Sequence, residues 1–260
     1  MQAYALTTTF WCLLYALSMY LPIPLKDYYR KLPAADELDL RNRQISFIHG
    51  LSVLFLSGYA MFFMSGSCMS PNTYFDNMVM YSSMGYFTYD FLAMAYYGLL
   101  AWPMTIHHAM SVAILWLNIS SRNSAYLILG GMFIGEISNP SMHLSAMLKH
   151  LGLRYCKLYE FCEISFAFLY CTGRVFMGSV QLWKICECES SHIVLKISTI
   201  ALAAQSYFFV YNMVPLLQDR VGVILNRGRL GIKSSWLAPL DNKHLEKLGI
   251  DPNKVEKFVL

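Results

Sequence analysis

Runs of roughly 20 apolar residues, the length an α-helix needs to cross a bilayer, recur along this chain. They lie near 3–24, 44–64, 78–99, 102–119, 124–148, 158–183 and 193–217. A chain patterned in this way is expected to fold as an all-α membrane protein of about seven transmembrane helices joined by short links. The punctuation agrees with these cuts. Pro22 and Pro24 close the first run, and Ser65-Gly66-Ser67 closes the second. Pro103 opens the fourth in a first-turn position, where its missing N–H costs no helical bond. Ser120 to Ser124 separates the fourth run from the fifth, and the third and fourth are joined so tightly that they must form a hairpin. Composition points the same way. Hydrophobic residues make up 56% of the 260 and charged residues 14%, against about 25% charged in soluble domains. The start, MQAYALTTTFWCLLYALSMYLPIPL, has no basic leading segment and runs on as a full span, so no cleaved signal is expected.

Three regions follow: 1–40, a first transmembrane helix and basic loop; 41–217, the main membrane domain; and 218–260, a C-terminal interfacial or soluble tail. Orientation is read from Lys and Arg. One side carries Lys26, Arg30, Lys31, Arg41, Arg43, Lys149, Arg154, Lys157, Arg220, Arg227, Arg229 and Lys233; the other has Arg122, Lys184 and Lys196. This bias puts the C-terminus in the cytoplasm or its equivalent. The formal net charge of +4 therefore reflects topology and anionic-lipid contact, and no nucleic-acid partner is expected. The endoplasmic reticulum or another endomembrane fits these features, as does a mitochondrial membrane.

In the tail, NRGRLGIKSSWLAPL (226–240) mixes basic residues with Trp236 and leucines, a composition suited to the headgroup level. Asp251-Pro252 reads as an N-cap followed by a first-turn proline, so 255–260 is expected to be a short helix. Seven cysteines cannot all pair internally. Cys68, Cys186 and Cys188 fall on the side opposite the basic loops. A disulfide from Cys68 to one of the other two is open if that compartment is oxidising; free thiols are the alternative. The Cys-x-Cys-x₃-His run lacks a fourth ligand, and no metal is expected.

The ionisable residues inside the apolar runs carry the functional information. A charge at the bilayer centre costs about 2.5–3.5 kcal/mol on insertion scales and so faces a packed or wet interior. Tyr86 and Asp90 are i, i+4 on the third run, and His107 and His108 sit in the fourth. Glu136, Asn139 and His143 are i, i+3 and i+7 on the fifth, one face of a continuous helix. Pro140 frees a backbone carbonyl near Glu136. Glu163, Tyr170 and Arg174 share a stripe on the sixth run, and Glu163–Arg174 is expected as a structural ion pair, with Asp90 as the other candidate partner for Arg174. Gln205 and Asn212 on the seventh are expected to bond between helices. Stripes of this kind must converge, which describes helices around a polar interior. Adjacent histidines point about 100° apart, so both seldom pack as inert core.

The segments RNRQISFIHG (41–50), GYFTYDFLAM (85–94), IHHAMSVAI (106–114) and GEISNPSMHLSAML (135–148) resemble the TLC domain. The likeness covers roughly 40 to 215 and is nearest to the small TLC-domain proteins that are not ceramide synthases. It implies a six-helix bundle around a long cavity, usually with a seventh helix outside, and an association with membrane lipids. In ceramide synthases the dihistidine is followed by two acidic residues three apart, which serve N-acyl transfer. Here His107 and His108 match, Glu136 stands at the first acidic position, and Asn139 replaces the second. That loss weakens the case for an oriented general base.

Three readings follow. The first is a protein that binds, senses or helps remodel membrane lipids through a cavity lined by Tyr86, Asp90, His107, His108, Glu136, Asn139 and His143. It needs no cofactor beyond a bound lipid. The second is a structural subunit of a larger membrane complex, with protein partners docked on the C-terminal tail. The third is a ceramide-synthase-like acyltransferase, with His107, His108 and Glu136 as catalytic candidates.

Overall fold

The computed structural model describes residues 2–100, 102–189 and 191–251. The described residues form helices and connecting loops, with a single isolated bridge between Pro71 and Asn123. In chain order the helices are α1 (Gln2–Ser18), α2 (Ala34–Phe63), α3 (Tyr74–Tyr96), α4 (Trp102–Ser121), α5 (Ala125–Glu136), α6 (Asn139–His150) and α7 (Lys157–Tyr170). A π-helical segment (Cys171–Met177) follows, then α8 (Gly178–Glu187), α9 (Ile193–Arg229) and α10 (Asn242–Lys247). Each of the seven apolar runs coincides with one helix or with an interrupted rod. Two helices, Ala34–Phe63 and Ile193–Arg229, are long and apolar enough to cross a membrane.

The interruptions have local causes. The fifth run does not stay one helix, because Pro140 falls in the first turn of α6 and cannot supply an N–H to the turn before it. The rod breaks at Ile137 and Ser138. In the sixth run the π segment lies against the end of α5. A Cβ on Gly173 would sit 2.8 Å from Ile137 Cγ2 and 3.2 Å from the Ile134 carbonyl oxygen, so glycine permits the approach. The third run is started by a reciprocal cap: Asp76 N–H donates to Thr73 Oγ1 at 3.1 Å, and Thr73 N–H donates to Asp76 Oδ2 at 2.8 Å.

The loops sort into two ends. At one, Cys68 and Cys188 are joined in a disulfide, and Asn72 N–H donates to the Arg122 carbonyl at 2.9 Å. This settles the choice the sequence left open among the three cysteines, and Cys186 is free and exposed. At the other end lie the segments that carry the twelve basic residues. Arg41 donates to the carbonyls of Ser18 and Leu21. Arg227 pairs through both terminal nitrogens with the Glu160 carboxylate, and both residues are buried. The tail folds back here. Lys157 N–H donates to the Ser235 carbonyl at 2.8 Å, and Leu240 and Leu245 pack with Tyr155. The seventh helix runs past its expected end at 217 to Arg229, through Pro215. The helix expected over 255–260 lies outside the described residues.

The largest core cluster joins α2 to α5 around Met80, Met84, Leu127 and Leu129. A second gathers Trp11, Tyr15, Ile45, Tyr86 and Tyr89 where α1 meets α2 and α3. Here α1 approaches so closely that a Cβ on Gly85 would lie 2.7 Å from Thr8 N. In contrast α9 is mostly surface. Of its 37 residues, Leu195, Ser206, Met213 and Arg227 are the buried ones.

Candidate functional site

The helices α2, α3, α4, α5, α8 and α9, with the π segment, line a partly open cavity of about 180 Å³. Most of its wall is apolar: Val53, Phe87, Ile114, Leu127, Ile134 and Leu202 are among the residues that line it. The polar lining includes His49 from α2, His107 from α4, Glu136 at the end of α5, Arg174 from the π segment and Gln181 from α8. From α9, Leu195, Thr199, Leu202 and Ser206 face it. Their spacing of three to four residues puts them on one side of the helix, so a single stripe of α9 closes the cavity.

The two adjacent histidines do different things. His107 lines the cavity. His108 turns away, with Nε2 3.4 Å from Asp90 Oδ2. Asp90 accepts from Asn42 Nδ2 at 2.6 Å, and Tyr89 Oη donates to Asn42 Oδ1 at 2.7 Å. All four members of this chain from Tyr89 to His108 are buried. The Phe87 ring lies beside both histidines, its centroid 6.0 Å from that of His107 and 5.5 Å from that of His108. The roughly 100° between neighbouring helical side chains produces the split.

The structure brings together fewer of the expected residues than the polar stripes imply. His107 and Glu136 line the cavity; Tyr86, Asp90, His108, Asn139 and His143 are not among its lining residues. Tyr86 stacks on His49, ring centroids 3.6 Å apart and planes 10° from parallel. Asn139 Nδ2 donates to Glu136 Oε2 at 2.9 Å and so holds the carboxylate from below. His143 sits one turn further along α6, beyond the break, with Nδ1 buried and without a hydrogen-bond partner among the described residues. Gly50 of α2 lets this corner close: a Cβ there would meet Glu136 Oε2 at 3.1 Å.

The expected Glu163–Arg174 ion pair does not form. The two are eleven residues apart, about 16 Å along a helix. Glu163 instead accepts from Tyr159 Oη at 2.7 Å and faces Arg220 Nε at 3.4 Å. Arg174 Nη2 donates to the Gly135 carbonyl at 2.7 Å, and its guanidinium lies 5.3 Å over the Tyr170 ring. Of the two amides expected to bond between helices, Gln205 reaches the Pro103 carbonyl at 3.5 Å, whereas Asn212 donates to its own helix at Phe208.

Sequence reasoning assigned no role to Asn42, His49 or Gln181. His49 lies inside an apolar run, which was a usable signal. Asn42 lies just outside one, and only its contact with Asp90 marks it. Gln181 donates to the Leu127 carbonyl at 2.6 Å and ties α8 to α5. Among the described residues no group of three or more His, Cys, Asp or Glu is placed to hold a metal ion. The arrangement sets polar groups, His107, Glu136 and Arg174 among them, within mainly apolar walls. For acyl transfer it is divided: the histidine with a carboxylate partner faces away from the cavity.

A second cavity, about 220 Å³, lies at the basic end between α2, α6 and α7, where Asp39, Arg43, Lys149 and His150 meet. Compared with known families, residues 39–219, about seven tenths of the chain, match the model of the TLC domain.

Proposed function

Because the chain belongs to the TLC-domain family, we propose that it binds a membrane lipid in its intramembrane cavity and serves to sense or help remodel membrane lipids. In this reading the seven rods cross the membrane, with the basic end in the cytoplasm. One observation carries the reading: a cavity with mainly apolar walls whose polar lining includes His107, Glu136 and Arg174. A headgroup meets the polar groups and acyl chain meets the walls. The outer wall is α9, which buries few of its own residues and suits entry from the lipid phase. The separation of His107 from the Asp90-paired His108 supports binding over acyl transfer, since an oriented base must reach the substrate.

The test fills the cavity without touching its polar groups. Gly131 lines it, and a Cβ added at Gly131 would meet nothing within 4 Å. Native mass spectrometry of protein purified in mild detergent is expected to find a retained lipid. In Gly131→Phe that lipid is expected to be lost while helicity stays unchanged, and thermal unfolding is expected to fall no further than removal of the lipid lowers it in wild type. A wild-type protein without lipid, or a variant that keeps the same lipid, would overturn the reading.

A further inference from the structure

Arg174 and Glu136 line one cavity and carry opposite charges, yet the salt bridges of the described residues do not pair them. Arg174 reaches the backbone instead: its Nη2 bond goes to the carbonyl of Gly135, the residue just before Glu136. Its Nε is buried with no hydrogen-bond partner among the described residues. A guanidinium offers five N–H donors and stays charged in any protein setting. In an apolar surrounding those donors and that charge are costly without an anionic partner. Glu136 shows the converse: among the described residues its hydrogen bond comes from the neutral amide of Asn139, and the Arg174 charge acts on it only through space.

Resting on the lipid-binding reading, we infer that the cavity selects a zwitterionic phospholipid headgroup, with the phosphate on Arg174 and the ammonium on Glu136. Phosphate matches the planar fork of a guanidinium, and a carboxylate supplies the counter-charge for an ammonium. A purely anionic headgroup would satisfy Arg174 and be repelled by Glu136. A neutral headgroup would leave the arginine without an anion. Gly135 sets the separation. By holding Arg174 on its carbonyl it keeps the guanidinium beside the carboxylate but outside ion-pair distance, so that a group bearing both charges would bridge the two. Ile134 and Leu202 then flank the chains.

The test uses the full chain, incubated with vesicles of phosphatidylcholine, phosphatidylethanolamine and phosphatidylglycerol in equal amounts. Lipid retained after re-purification is read by native mass spectrometry. Wild type is expected to retain the two zwitterionic lipids over phosphatidylglycerol by about tenfold, which corresponds to about 1.4 kcal/mol. Glu136→Gln is expected to abolish or invert that ratio, because the anion site remains and the repulsion is gone. Arg174→Gln is expected to lose all three lipids, and Arg174→Lys, which keeps the charge but not the fork, to retain them more weakly in the wild-type ratio. Where Arg174→Gln fails to fold, Glu136→Gln and Arg174→Lys decide. Retention in the input proportions, a wild-type preference for phosphatidylglycerol, or a ratio unchanged by Glu136→Gln would overturn the inference while lipid binding stands. No retained lipid in wild type would overturn the lipid-binding reading itself.

Discussion

Asn42 of α2 donates to Asp90 of α3 at 2.6 Å, and this one amide stands between a buried carboxylate and the rest of the interior. His108 Nε2 lies 3.4 Å from the same carboxylate. Asn42→Leu removes the donor, keeps the bulk and leaves Tyr89 Oη without its acceptor. An unsatisfied buried group costs about 1–3 kcal/mol, more when charged. Thermal unfolding in detergent is expected to fall accordingly, and Asp90→Asn in the Asn42→Leu background should recover part of the loss. A melting temperature equal to wild type would mean that this contact does not hold α2 to α3.

Two glycines should respond in opposite ways to the same methyl group. At Gly85 a Cβ would lie 2.7 Å from Thr8 N and 2.8 Å from the Thr7 carbonyl carbon, backbone atoms that cannot rotate aside. Gly85→Ala is expected to push α1 off α3 and cost about 1–3 kcal/mol. At Gly131 the space is open, and the substitution gains helix propensity of up to about 1 kcal/mol. Gly131→Ala should melt no lower than wild type. The pair of unfolding curves checks both outcomes.

The topology can be read with cysteines already present and one added. Cys186 is free and exposed near the disulfide end; Lys233 is exposed in the tail at the basic end. In intact vesicles a membrane-impermeant maleimide is expected to reach Cys186 from the side opposite to Lys233→Cys. Cys68 and Cys188 are bonded to each other and should label only after reduction. Labelling of both probes from one side would contradict the charge-based orientation.

Asp39 lies ahead of the apolar part of α2 and gives a pH signature. Burial pushes its carboxyl up, but hydrogen bonds and fields from His150 and Arg43 outweigh that and hold it at about 2. His150 Nε2 is 2.6 Å and Arg43 Nε 2.8 Å from the same Oδ2. A carboxyl held below its ordinary range stabilises the fold above the unfolded value, near pH 4. That contribution disappears as pH falls from there towards 2. Wild type should therefore melt above Asp39→Asn at neutral pH, with the gap closing between about pH 4 and 2. A gap independent of pH would show that the pair contributes through shape alone.

Much of the architecture was legible in local pattern. Seven apolar runs each became a helix or a broken rod, because run length and the positions of proline and glycine act within a few residues. The opposed directions of His107 and His108 also follow from helix geometry alone. The same local rule held for Glu136 and Asn139, which bond to each other three residues apart, although of the set Glu136, Asn139 and His143 the cavity takes Glu136 alone. Their spacing assumed a continuous helix, and Pro140 in the first turn of α6 interrupts the rod between Glu136 and Asn139. The single stripe of Glu163 and Arg174 failed for a related reason: the π segment carries Arg174 toward Gly135, while Glu163 is met by Arg220 from α9.

By itself the sequence determined which residues are polar inside apolar runs, how the chain alternates between two ends, and the periodicity that assigns each helix its faces. Only the tertiary structure decided which face meets which: His107 on the cavity and His108 on Asp90, Cys68 bonded to Cys188 and not Cys186, Arg174 beside Glu136, and the tail folded back on α7. Periodicity is a property of a few successive turns. The partner across a helix interface is chosen by side-chain volumes, glycine contacts and hydrogen-bond donors that come from far along the chain and meet only once the bundle has packed.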